Sequence, residues 1–277
     1  MRFARFGLVL LTFALAARPS YGQQPFHQLA AAGQPAITMS ATDCPHVFSI
    51  GKASSNTFFQ YCVNDRGNIT QVEAPLAHFH IGGQGEGYGF CQQDPTPGTA
   101  YYDYLNFDSG NWQAPQILSA SSSSIKISRT TADGNWTLVQ TISKVALTDS
   151  IKLVMALTNN QPLAKVAYIV RFVDVNPDGQ QTHNAASGAA IQSAFAWNED
   201  AGVPVHYGLQ LGNIGKWNGF QQAYLQGVPN PPNPCAFAGN AERSPFLEGV
   251  DTSLVYAYVG SVGAHKTVIV TLGYRGT

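Results

Sequence analysis

Residues 165–175 read Lys165-Val166-Ala167-Tyr168-Ile169-Val170-Arg171-Phe172-Val173-Asp174-Val175, and this stretch decides the fold class. It is rich in β-branched and aromatic residues, which suit a pleated strand. Strand alternation puts Val166, Tyr168, Val170 and Phe172 on one face and Ala167, Ile169, Val173 and Val175 on the other. A strand apolar on both faces belongs in the middle of a sheet that is covered on both sides. Arg171 interrupts the run. A charge in such a place needs a partner, and Glu73 or Glu86 is expected to supply it. Asn176-Pro177-Asp178-Gly179 then ends the strand in a turn.

The same period extends outward from this strand. Ile125–Thr130, Trp136–Ile142 and Ile151–Thr158 alternate and are punctuated by Asp133-Gly134, Thr148-Asp149 and Asn159-Asn160-Gln161-Pro162, which predicts a meander. Trp136, Leu138 and Ile142 share a buried face, as do Ile151, Leu153, Met155 and Leu157, with Lys152 opposite. Thr57–Val63 and Asn68–Glu73 form a hairpin through Asn64-Asp65-Arg66-Gly67. Ala189–Trp197, Val203–Leu211, Leu254–Val259 and Lys266–Tyr274 read as further strands. Only Lys216–Gln226 has helical spacing, through Trp217, Phe220 and Tyr224. Residues 227–240, with Pro229, Pro231, Pro232 and Pro234, read as a long loop pinned by Cys235. The expectation is an all-β chain: a large antiparallel β-sandwich, supersandwich-like, of about ten to thirteen strands with one short helix at most. It forms a single domain over residues 44–277.

Glu86-Gly87-Tyr88 with Cys91, Asp133-Gly134-Asn135-Trp136 and Arg171-Phe172-Val173-Asp174 resemble segments of uncharacterised secreted bacterial β-sandwich proteins. The resemblance covers residues 57–200. It implies fold and location, and no activity.

The N-terminus carries an address. Arg2 and Arg5 precede the apolar run Phe6–Ala17, and Ser20-Tyr21-Gly22 offers small residues at a cleavage site. This is the layout of a secretory signal peptide over residues 1–22. The run is shorter than the roughly 20 residues a membrane span needs. Residues 23–43 lack periodicity and read as a flexible leader. The product is expected to be secreted or otherwise extracytoplasmic. Charged residues are only 11% of the full 277-residue chain, whose net charge is −1. No basic cluster occurs, so nucleic acid is not an expected partner. Of the four cysteines, Cys44, Cys62, Cys91 and Cys235, no two form a C-x-x-C pair, and an exported chain with an even count points to two disulfides. The expected pairs are Cys62–Cys91, as sheet neighbours, and Cys44–Cys235, as two loosely anchored segments.

Four places carry candidate chemistry. Tyr101 to Trp112 interleaves aromatics with Asp103, Asp108 and two Asn. Flat rings for the C–H face of a sugar and acceptors for its hydroxyls make Tyr102, Asp103, Tyr104, Asp108 and Trp112 a candidate glycan platform. Aromatics are equally at home in a core. His78 and His80, at i and i+2 on one strand face, have the start of a metal-ligand pattern, with Glu86 beyond a glycine-dense loop. The layout looks like the first metal motif of cupins, with one residue too many between His80 and Glu86 and no partner motif beyond His206. Asp174, Asn176 and Asp178, followed by Gly179, match the head of a calcium loop. The expected cofactor there is calcium, but position twelve is Ala185 and the same residues make a good plain turn. Any two of Glu73, Glu86, Asp103, Asp108, Glu199 and Glu248 could serve a glycosidase. G-x-S-x-G, H-E-x-x-H, G-x-G-x-x-G and P-loop motifs are absent. Three function classes stay open: a non-catalytic module binding a polysaccharide or other glycan, a carbohydrate-active hydrolase or lyase, and a structural protein without a small ligand. Asn68-Ile69-Thr70 and Asn135-Trp136-Thr137 are sequons.

Overall fold

The computed structural model describes residues 44–52, 57–145, 148, 150–188, 192–198, 205–217, 219–227, 233–237 and 246–276. The signal peptide and leader, along with Glu199, lie outside them. The described strands are β1 (His46–Ile50), β2 (Phe59–Val63), β3 (Ile69–Glu73), β4 (Ile81–Gln92), β5 (Thr99–Asp103), β6 (Gln116–Ala120), β7 (Ser124–Thr130), β8 (Trp136–Lys144) and β9 (Ser150–Asn159). They continue as β10 (Lys165–Val175), β11 (His183–Gly188), β12 (Ser193–Asn198), β13 (Gly208–Asn213), β14 (Phe220–Gly227), β15 (Phe246–Val250), β16 (Thr252–Val262) and β17 (Thr267–Gly276). One short helix, α1 (Pro234–Phe237), and a 3-10 turn at Pro177–Gly179 complete the set.

Every strand pairing is antiparallel, and the strands form three sheets. Their orders are β1-β2-β3, β14-β16-β10-β4-β5 and β15-β11-β12-β13-β17-β9-β8-β7-β6. The fold is thus a large antiparallel β-sandwich, and β10 lies in the middle of the five-stranded sheet. Its two faces serve two separate cores. Ala167, Ile169, Val173 and Val175 join the main core with Leu138, Leu153, Leu211 and Leu272 of the nine-stranded sheet. Tyr168, Val170 and Phe172 join a second, aromatic layer with Tyr104, Tyr224 and Val255 on the opposite face. The three-stranded sheet adds Phe48, Phe59, Tyr61 and Val72 to the main core.

The structure corrects several expectations. It has more strands than the period revealed, because β1, β5, β6 and β15 are short and β4 runs through the glycine-dense stretch. Glycine is needed there because of close approach: a Cβ at Gly89 would lie 2.7 Å from the Tyr104 hydroxyl. Phe220–Gly227 is a strand rather than a helix; Ala223 and Leu225 face the main core while Tyr224 faces the aromatic layer, which blurs the period of two.

The disulfides are Cys44–Cys62 and Cys91–Cys235, not the expected pairs. Cys62 sits in the three-stranded sheet and Cys91 in the five-stranded one, so they are not neighbours. Pairing of β1 with β2 brings Cys44 to a Cα separation of 5.3 Å from Cys62. Cys91 faces the aromatic layer, against which α1 packs with Cys235. Two disulfides fit an oxidising, extracytoplasmic compartment. Among the described residues no helix is long and apolar enough to cross a membrane. The sequon residue Asn68 is buried and donates to the Glu86 and Asp103 carbonyls, so it cannot carry a glycan.

Candidate functional site

The outer face of the nine-stranded sheet presents aromatic rings in place of the usual polar residues. β12 reads Ser193-Ala194-Phe195-Ala196-Trp197-Asn198, and its alternation is inverted in size. Ala194 and Ala196 face the main core, while Phe195 and Trp197 stand outside, half-buried. Small inward residues suit the side on which β12 packs against β14 and β16. The Phe195 and Trp197 rings stack with centroids 5.1 Å apart and an interplanar angle of 17°. Phe246 on the edge strand β15 lies 6.1 Å from Trp197 and is 49% exposed. Gly208 opposes Trp197, and a Cβ there would come within 2.9 Å of the Phe195 ring, so glycine allows the rings to lie over the strand.

The strand register continues this row across the sheet. Phe246 pairs with Ala186, Ala186 with Phe195, Phe195 with Gln210, Gln210 with Arg275, and Arg275 with Ser150. Beside Gln210 and Arg275 a cleft of about 220 Å³ opens over Gly212 and Gly273, walled by Gln192, Asn213 and Ile214. Rings, amides, a guanidinium and a glycine floor therefore share one sheet face.

The segment expected to form a glycan platform lies elsewhere and is mostly interior. Trp112 is 9% exposed and packs edge-on against Tyr88, Phe90 and Tyr101, with Arg129 over its face. Tyr104 is fully buried in the aromatic layer, and half-buried Tyr102 stacks on it. Asp103 is buried against Arg129, with Arg66 at 3.5 Å. Burial raises its pKa, and the Arg66 and Arg129 charges pull it down. Asp108 shares the same two arginines at 3.7 and 3.9 Å. These residues join the β2–β3 turn to the sandwich and offer no flat exposed surface.

Of the other carboxylates weighed as a catalytic pair, Glu86 and Glu73 are committed to partners inside the fold, and Glu248 is not. Glu86 binds Arg171, as one of the two expected partners. Glu73 accepts the Ala77 N–H at 2.6 Å. Glu248 is exposed on the edge strand β15.

The structure brings the histidine pair and the Asp-x-Asn-x-Asp segment together. The Asp178 N–H donates to the Phe79 carbonyl and the Asn176 N–H to the His80 carbonyl. His78 Nδ1 donates to both Asp178 carboxylate oxygens at 3.1 Å, and its ring lies against Tyr207 at an interplanar angle of 31°. Asn198 donates to the same carboxylate, and His206 bonds the Asn198 carbonyl. Asp178 is therefore turned away from Asp174, which accepts the Gln84 N–H at 2.7 Å. Among the described residues no three His, Cys, Asp or Glu side chains form a metal-binding group.

His80 is fully buried, with Nε2 donating to the Ala74 carbonyl at 2.7 Å. Desolvation lowers its pKa to about 4. A histidine neutral in the fold and titrating near 6.5 when unfolded stabilises above the unfolded value and loses that contribution as pH falls towards 4. Between pH 7 and pH 4 the wild type is expected to lose about 2–3 kcal/mol more than His80→Gln, whose amide keeps a donor for Ala74. Urea unfolding at the two pH values measures this, and equal losses would contradict it.

Comparison with known proteins yields similarity of fold alone. No family model matches the sequence, and no curated protein shows significant similarity to it. A bacterial glucoamylase solved in complex with acarbose superposes with a TM-score of 0.56 at 9% identity, over 86% of this chain and 33% of that one. The chain thus spans about a third of that protein's length. A putative aldose 1-epimerase from Escherichia coli K12 and a galactose mutarotase-like protein from Lactobacillus casei give TM-scores of 0.45 and 0.46, each at 10% identity. These cover 84% of this chain and 99% and 100% of the respective proteins. The structural neighbours are carbohydrate-related proteins.

Proposed function

We propose that this is a secreted, non-catalytic module that binds a polysaccharide or other glycan on the outer face of its nine-stranded sheet. The row of Phe195, Trp197 and Phe246, running on to Gln210 and Arg275, carries the reading. A sugar needs flat apolar faces for its C–H side and fixed amides and guanidinium groups for its hydroxyls, and this face supplies both. That a glucoamylase complexed with acarbose shares the fold supports the ligand class. The binding reading is favoured over a glycosidase because Glu86 and Asp103 are buried against arginines, with Asp108 beside the same guanidinium groups as Asp103. Glu86 and Asp103 are also fully buried, so neither carboxyl reaches a glycosidic bond lying in a surface cleft.

Affinity electrophoresis against a panel of soluble polysaccharides tests this. At least one should retard the wild type. Trp197→Ala should weaken that binding at least tenfold, about 1.4 kcal/mol, while Tyr102→Ala should leave it unchanged. No new reducing ends should appear on long incubation. Loss of binding in Tyr102→Ala but not in Trp197→Ala would move the site back to the β5 segment.

A further inference from the structure

The second face of the five-stranded sheet is apolar and aromatic, but one end of it is not. The register of two antiparallel pairings lays Gln226 of β14 beside Ser253 of β16, and Ser253 beside Asp174 of β10. All three lie on the face that carries Tyr224, Val255 and Phe172. Across the irregular pairing of β10 with β4, Gln84 donates its N–H to Asp174 Oδ2. Asn176 closes the group. A Cβ at Gly82 would lie within 2.6 Å of both the Asn176 amide and Asp174 Oδ2, so those two side chains are in each other's reach.

Asp174 Oδ1, Asn176 Oδ1, Gln84 Oε1, Ser253 Oγ and Gln226 Oε1 are all buried, and none has a hydrogen-bond partner among the described residues. Asp174 is 2% exposed and Ser253 is fully buried. Buried polar atoms are normally satisfied, so five unpartnered oxygens on adjoining strands, with one carboxylate among them, need a common explanation.

We infer that this strand-end cluster is a binding site for calcium, with Asp174 Oδ1, Asn176 Oδ1, Gln84 Oε1 and Ser253 Oγ as ligands and Gln226 Oε1 within the same group. The donor set consists of oxygen alone, without imidazole or thiolate, which selects a hard cation. Neutral amide and hydroxyl oxygens drawn from several strands suit the six to eight flexible ligands of calcium better than the strict octahedron of magnesium. Asp174 brings a buried carboxylate whose Oδ1 has no partner among the described residues, and a cation here would compensate its charge. With one carboxylate ligand the site should be weak, with Kd on the order of 10⁻⁴–10⁻³ M, as in extracellular modules. The site differs from the loop suggested by the Asp-x-Asn-x-Asp spacing, because Asp178 is taken by His78 and Asn198 and is replaced by residues from β4 and β16.

Thermal unfolding of the full chain in EDTA against 10 mM calcium is the test. Wild type should gain on the order of 5 °C in calcium. Asp174→Asn, which keeps an acceptor for the Gln84 N–H, and Ser253→Ala should lose most of that gain, while Asp178→Asn should retain it. Terbium luminescence sensitised by the neighbouring tyrosines should appear in the wild type, be quenched by added calcium, and be absent from Asp174→Asn. No calcium shift, an equal shift in Asp174→Asn, or an equal shift with magnesium would overturn the assignment. The first of these would leave ordered water as what satisfies the five oxygens.

Discussion

Replacing Arg171 by Leu is expected to destabilise the fold by about 3–5 kcal/mol, because it leaves a carboxylate in the core without its counter-charge. Arg171 and Glu86 are both fully buried, and the guanidinium binds the carboxylate through Nε and, at 2.8 Å, through Nη2. The pair is a junction of three sheets. Glu86 also accepts the Ile69 N–H of the three-stranded sheet at 2.6 Å and the Tyr274 hydroxyl of the nine-stranded sheet at 2.7 Å. Arg171 also donates to Gln140 Oε1 at 2.7 Å and to the Gly67 carbonyl. Burial raises the Glu86 pKa, and the Arg171 charge is the largest influence pulling it down. Without Arg171 the carboxyl holds its proton more tightly in the fold than in the unfolded chain. The variant should therefore recover stability as pH falls, the opposite of ordinary acid destabilisation. The double variant Arg171→Leu with Glu86→Leu should cost less than the two single variants summed, since neither charge is then stranded. Urea midpoints at pH 7 and pH 5 for the three variants decide it. A single-variant cost below about 1 kcal/mol would mean that water reaches the pair.

The central strand was readable because both of its faces are buried for the same physical reason, and its two sets of side chains enter two cores in the order that alternation requires. Arg171 was readable as a paired charge because an unpaired one in that run is too costly. The candidate glycan face was not read, although its signal was present. Ala194-Phe195-Ala196-Trp197 alternates cleanly, but alternation does not say which face is inside, and rings are by default placed inward. Only the packing of β12 against β14 and β16 shows that alanine is the inward residue. The Tyr101–Trp112 segment misled for the converse reason: aromatics mixed with Asp and Asn look like a ligand surface, yet the polar groups here satisfy arginines and backbone in the interior. The oxygen cluster was half legible. Asp174 and Asn176 were visible through local spacing, whereas Gln84 and Ser253 arrive only through strand register.

Removing the Cys91–Cys235 disulfide is expected to destabilise the chain more than removing Cys44–Cys62. The two bonds close loops of very different length, with sequence separations of 144 and 18. In the chain-entropy picture the unfolded state gains about 5 kcal/mol of freedom on loss of the first and about 3 kcal/mol on loss of the second. The folded state sharpens the difference. Cys91 is buried within the second aromatic layer, and Cys235 on α1 packs against the same layer. Besides this bond, α1 is held by contacts with β4, β5 and β10. Cutting it should loosen the cover over Tyr168 and Tyr224, whose hydroxyls meet at 3.2 Å in the interior. Cys44 instead ties a short segment to β2 next to a strand already held by its own ladder. Urea unfolding of Cys91→Ala/Cys235→Ala and Cys44→Ala/Cys62→Ala gives the ranking. Hydrogen exchange of β10 and β16 amides in the first variant shows whether the aromatic layer opens before global unfolding. A larger cost for the Cys44–Cys62 variant would mean that the long loop is already restrained in the denatured chain, with native strain and residual structure outweighing loop closure.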